Sequence, residues 1–128
     1  MGAQQPEIQL IANLVVRRSD ARVLFVRYQA DDERWWLPGE DLEPFEHPDE
    51  RAAAILAGFP GIAPTTVEMA FVESFRGRRG WHVVFHYRVE ADGEAGGDVP
   101  TEWFPEGELP RTMHGKWERD AVGRVLAA

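Results

Sequence analysis

The hydrophobic period of the chain switches once, between residues 48 and 59, and that switch limits the folds open to it. Ala52, Ile55, Leu56 and Phe59 stand at i, i+3, i+4 and i+7, a single helical stripe. The segments on either side read as strands. Ile8–Arg17 alternates loosely and is β-branched, and Arg22–Tyr28 is a compact apolar run. The turn Ser19-Asp20-Ala21 makes these two a hairpin. Trp35-Trp36-Leu37 is a short extended piece closed by Pro38-Gly39, and Leu42 is expected to begin another short strand. Pro48 suits the first helical position, while Asp49 and Glu50 suit the positive end of the helix dipole. Gly58, Pro60 and Gly61 end the helix. Thr66–Phe75 and Trp81–Glu90 form a second predicted hairpin through the basic turn Arg76–Gly80. Glu102–Phe104 reads as a short strand, and Trp117, Ala121, Arg124, Val125 and Ala128 predict a carboxyl-terminal amphipathic helix. The predicted order is β-β-(short β)-α-β-β-β-α. It implies an α/β (α+β) domain, a mixed curved sheet carrying an internal and a C-terminal helix.

Length and composition agree with one domain spanning 1–128. A chain of 128 residues with 44% apolar and 28% charged residues buries enough surface for a core without staples. The absence of cysteine removes disulfides, thiolate metal sites and thiol nucleophiles together. Twenty-two acidic against 14 basic residues give a net charge of −8, a surface that repels duplex DNA and anionic membranes. No apolar run approaches the roughly 20 residues of a membrane span, and MGAQQPEIQL lacks a basic segment leading a long apolar stretch. The expectation is a cytoplasmic protein.

The segment from Trp36 to Glu50, WLPGEDLEPFEHPDE, resembles the opening of the Nudix box. That signature runs G-x5-E-x7-R-E-U-x-E-E-x-G-U, with U a bulky aliphatic residue, and W-x-L-P-G usually precedes it. The resemblance implies the Nudix α/β/α sandwich across nearly the whole chain. Trp103-Phe104-Pro105 and Leu109-Pro110 look like the family's last strand and the approach to its last helix. In the family, helix glutamates hold Mg²⁺ or Mn²⁺ against a diphosphate, because hard cations take oxygen ligands and neutralise phosphate charge.

That chemistry does not carry over. With Glu46 on the first Glu of the signature, its leading Gly falls on Glu40, and Gly61-Ile62 closes it. The R-E-U-x-E-E segment then falls on Ala54-Ile55-Leu56-Ala57-Gly58-Phe59, where only Leu56 keeps its type. A charged residue at position 40 implies an altered loop. The Arg that commonly pairs with the first Glu is Ala54 here, so Glu46 reads best as a helix-dipole residue. No cofactor is expected, with Mg²⁺ or Mn²⁺ entering only if displaced carboxylates substitute.

Other residues could carry residual chemistry. Glu40, Asp41, Glu43, Glu46 and Glu50 sit where a Nudix pocket would open; the plainer account is a solvated acidic loop. Glu46 and Glu73 are the catalytic candidates, Glu73 because some members of the family use a carboxylate from outside the box. Glu102 is a further candidate of that kind. Strand alternation alone also places Glu73 on an open face. Trp36, Glu43, His82, His86 and Arg76 are the ligand-binding candidates. Trp36, with Trp35 and Trp81, offers a stacking surface; Trp103 and Trp117 read as anchors of the last strand and helix. His82 and His86 share one strand face but lie about 13 Å apart at ~3.3 Å per residue, too far to chelate one ion. Surface or half-buried histidines are the simpler reading, and His114 reads as a capping or exposed residue. Arg76 belongs to the one basic cluster apparent in the chain, able to fork onto phosphate or simply to solvate a hairpin tip.

Two functional readings follow. One is a Nudix-fold protein without the family's metal site that binds a small-molecule or nucleotide-like ligand, or serves as a partner-binding module. The other is a hydrolase of a nucleoside-diphosphate-linked or other phosphorylated compound that uses displaced carboxylates. Metal-independent chemistry with His82 or His86 as proton carrier is a third variant. The resemblance also implies a homodimer, although no exposed apolar stripe stands out in the sequence.

Overall fold

The computed structural model describes residues 7–28 and 33–127. Eight elements follow in the predicted order: β1 (Ile8–Arg17), β2 (Arg22–Val26), β3 (Gly39–Asp41), α1 (Pro48–Ala57), β4 (Ile62–Gly77), β5 (Gly80–Gly93), β6 (Thr101–Pro105) and α2 (Lys116–Ala127). The six strands form one sheet in the order β4-β5-β1-β2-β6, with β3 beside β1. β1 runs parallel to β5 from Ile8 opposite Trp81 to Arg17 opposite Glu90; the other pairings are antiparallel.

The period of two along β1 divides the interior into two cores. Ala12, Leu14 and Val16 point to the face covered by α1, where Ala52, Ile55 and Phe59 pack with Tyr87 and Val89. Val15, with Val23 and Phe25 of β2, points to the opposite face, where Ala121, Val122 and Val125 of α2 close over it. Each fully buried aliphatic side chain contributes roughly 1.5–3 kcal/mol relative to exposure. A mixed sheet sandwiched between two helices results, as the sequence predicted.

Four details differ from the sequence reading. The third strand is Gly39–Asp41, ahead of Leu42, because β1 offers its edge there: Gly39 opposes Asn13 and Asp41 opposes Ile11. The β4–β5 hairpin is longer than predicted and turns through Arg78-Arg79, with Gly80 at φ 113°, a torsion that favours glycine. In α2 the buried stripe is Glu118, Ala121, Val122 and Val125. Arg124 instead lies over the Phe71 ring at 3.9 Å, and the predicted Ala128 falls outside the described residues. Finally, six exposed apolar side chains, Ile8, Leu10, Val67, Met69, Val72 and Trp81, share the α1 side of β1, β5 and β4. Contacts between distant strands assemble that surface, so no short sequence window displays it. No described helix is long and apolar enough to cross a membrane.

Candidate functional site

The loop leading into α1 is built around one arginine. His47 is the N-cap, its Nδ1 accepting the Asp49 N–H at 3.0 Å, with Pro48 in the first turn. One turn into the helix, Arg51 reaches back to Glu46: Nε to Oε1 at 2.8 Å and Nη2 to Oε2 at 3.0 Å, a two-pronged fork. Its Nη1 donates to Glu40 at 3.1 Å, and Glu43 Oε1 stands 4.0 Å from Nη2. The Glu43 N–H donates to Glu46 at 3.0 Å. Arg51, helped by that backbone N–H, holds the Glu46 carboxyl below the usual range, and Glu46 raises Arg51 in return. Glu46 is therefore an ion-paired residue, and the helix dipole alone does not account for it. Glu40 lies in regular extended pairing opposite Ala12; the left-handed residue of the loop is Phe45, at φ 65° and fully exposed. The distortion expected at position 40 sits at position 45.

Arg51 also resets the register of the signature. Taken as the signature's Arg, it puts Gly58-Phe59 on the closing Gly–aliphatic pair. In that register the pair falls at the end of the helix, where Gly58 is the C-cap of α1 and Phe59 packs in the core. The three Glu positions then fall on Ala52, Ile55 and Leu56, all packed into or against the α1 core. The spacer before the Arg is four residues here and seven in the signature, which is why counting from Glu46 misplaced it. The useful signal was an arginine one turn into the helix, five residues after Glu46. In either register these helix positions present hydrocarbon, and the neighbouring carboxylates are already engaged by a guanidinium. No three His, Asp or Glu side chains among the described residues converge as a metal site would require.

A second polar group lies on the other face of the sheet. His86 is completely buried, with Nε2 2.8 Å from Glu73 Oε1 and Nδ1 3.1 Å from Asn13 Nδ2. A carboxylate accepts and an amide nitrogen donates, so the proton of the neutral ring sits on Nε2. Trp117 Nε1 donates to the same Glu73 oxygen at 3.0 Å. Phe71 stacks on the imidazole at 4.3 Å. The expected surface or half-buried His86 is thus a core residue, and Glu73 is a half-buried acceptor for two donors, not a solvated residue of an open face. Burial lowers the His86 pKa below its ordinary 6.5, and Glu73 opposes that shift. Since the unfolded chain takes up the proton first, stability is full above about pH 6.5 and declines as pH falls toward the folded value. Urea midpoints measured from pH 7.5 to 5 are expected to fall, and His86→Gln is expected to flatten that decline.

The remaining candidates do not join either group. Trp36 packs against the α1 core and makes edge contacts with Tyr28 and His114 at 5.6 and 5.1 Å. His82 lies against Phe75 on the face of His86, with its Nε2 buried and unpartnered. Arg76 is exposed near the hairpin tip, opposite Trp81. Trp81 bonds Ser74 and stands far along the sheet from Trp36. Glu46 and Glu73 lie on opposite sides of the sheet, since Glu73 opposes Val84 on the α2 face. His114 is exposed, and its N–H donates to the buried Glu118, which also bonds its Nδ1 at 2.7 Å. A second cluster of basic residues, distributed from position 34 to 119, surrounds the start of α2. Arg111, Lys116 and Arg119 are spaced over nine residues and Arg34 comes from far upstream, so a linear reading shows no run as dense as the hairpin tip.

No protein-family model matches the chain, and no curated protein matches it in sequence. Solved structures do match. A UDP-X diphosphatase superposes on 97% of this chain with a TM-score of 0.76 at 16% identity, and the chain spans 64% of that protein's length. A MutT Nudix hydrolase from Burkholderia pseudomallei gives 0.73 at 20% identity over 93% of this chain and 98% of its own. A Nudix hydrolase from Nitrosomonas europaea gives 0.70 at 13% identity over 94% and 90%. At these identities the likeness speaks for the backbone, and the element order and two-faced packing speak the same way: this chain has the Nudix fold.

Proposed function

We propose that this Nudix-fold protein binds a phosphorylated, nucleotide-like small molecule without the divalent ions the resemblance would imply, and does not hydrolyse it. The observation that carries the reading is the position of Arg51. Its guanidinium lies among Glu40, Glu43 and Glu46, while Ala52, Ile55 and Leu56 fill the helix positions that would supply oxygen. A hard cation needs several oxygens in one shell; here the oxygens are paired with an internal cation. The displaced-carboxylate alternative needs Glu43, Glu46, Glu50 and Glu73 to converge, and Glu73 serves His86 and Trp117 across the sheet.

Calorimetric titration with Mn²⁺ or Mg²⁺ to millimolar concentration tests this, together with a panel of nucleoside-diphosphate-linked compounds assayed for phosphate release. No ion binding and no release are expected. Release that Glu46→Gln or Glu73→Gln abolishes would establish the hydrolase reading instead. Arg51→Gln makes the comparison sharper. It leaves three carboxylates without their cation, so the variant is expected to lose stability at pH 7, recover part of it on acidification, and gain the weak Mn²⁺ affinity its parent lacks.

A further inference from the structure

We propose that the cleft at the start of α2 is an anion site that takes the diphosphate of a small ligand. An open cavity of about 350 Å³ lies there, with Arg34, Arg111, Lys116 and Arg119 in its wall. Four of the chain's 14 basic residues therefore face one small cavity, in a molecule whose net charge is −8. Arg17, Arg18, Arg22, Arg51, Arg79 and Arg88 each pair with a carboxylate, and Arg124 lies over the Phe71 ring. Arg111, Lys116 and Arg119 make no ion pair with any described carboxylate. Lys116 and Arg119 also occupy the first turn of α2, the positive end of its dipole, where cations are disfavoured and acids preferred. Like charge has thus been gathered where it costs stability, and a multiply charged anion would relieve it.

The walls are held in place. Trp35 N–H donates to the Arg111 carbonyl at 2.9 Å, and Met113 N–H donates to the Trp35 carbonyl at 2.9 Å, so the two cationic segments are stitched side by side. The buried Thr112 hydroxyl donates to the Gly115 carbonyl at 2.6 Å and fixes the turn into the helix. Guanidinium groups fork onto phosphate oxygens, and three of the four cations are arginines. The cavity admits a small molecule, and the overall negative charge disfavours a nucleic-acid polyanion. The site shares no residue with the Glu46–Arg51 cluster: it flanks the start of α2, while that cluster belongs to the start of α1. A diphosphate seated here is neutralised by side chains alone, which deepens, and rests on, the reading of a ligand bound without divalent ions.

Calorimetry with sodium pyrophosphate and with ADP, in EDTA at low salt, tests the site. Binding of both is expected, weakening steeply as salt rises. Arg111→Gln and Arg119→Gln are each expected to reduce pyrophosphate affinity about tenfold, and the pair together to abolish it. Arg76→Gln with Arg78→Gln removes equal charge at the hairpin tip and is expected to leave affinity unchanged. All four substituted arginines are exposed, so circular dichroism should report intact folding in every variant. Absence of pyrophosphate binding in the parent, or equal losses in the hairpin control, overturns the proposal. ADP binding that requires added Mn²⁺ would overturn the metal-independent reading of function, while cleft-dependent pyrophosphate binding in EDTA would leave the site standing.

Discussion

Ile55→Glu is expected to destabilise the protein by about 3–5 kcal/mol, the cost of an uncompensated charge in a packed interior. Ile55 is 2% exposed and lies with Ala12, Leu14, Tyr87 and Phe59 in the α1 core. It occupies a position that the Nudix signature gives to glutamate. The carboxylate would have no cation to meet, because Arg51 already serves Glu46 and Glu40. Leu56→Glu, at a half-buried neighbouring position, is expected to cost much less because its carboxylate reaches water. Urea unfolding of both variants reads the difference directly. An Ile55→Glu protein with an unchanged midpoint would mean that the inner face of α1 is open to solvent or ions, and the account of this helix would fail.

Glu73→Leu is the other large effect, expected at about 2–3 kcal/mol. The substitution leaves two donors without an acceptor, the buried His86 Nε2–H and the Nε1–H of the half-buried Trp117. Glu73→Gln keeps a carbonyl in place and is expected to cost less than half as much. Thermal melts of the two variants separate the roles. If Glu73 were instead held for catalysis on a bound substrate, both substitutions would leave stability near the parent value and the network would have no structural worth.

The parts of the fold written in local pattern were legible in sequence. The stripe Ala52-Ile55-Leu56-Phe59, the Pro48 start and the Gly58 stop announced α1, and the period of two in Ile8–Arg17 announced β1. Features made by long-range register were not legible. Nothing near His86 in the sequence says that Asn13, Glu73 and Trp117 will surround it, because β1, β4 and α2 are brought there by sheet pairing. Arg51 was close at hand and still missed, since a shortened spacer placed it before the position that the signature assigns. Glu118 was missed because a helix-face argument gives charged residues to solvent, whereas this carboxylate turns inward to the backbone N–H and Nδ1 of His114.

The long strand β4 forms the outer border of the sheet, and its ladder with β5 slips twice, between Pro64 and Thr66 and between Met69 and Phe71. A straight border of 16 residues bearing Val67, Met69 and Val72 would be a template for another copy to extend the sheet. Each slip bends the strand and puts its hydrogen-bonding groups out of step with those of any straight neighbour, and Pro64 has no N–H to offer. Recruitment of further strands is thereby interrupted at two points along the first half of the border. The irregularities give this acidic little sandwich a built-in defence against growing into fibres.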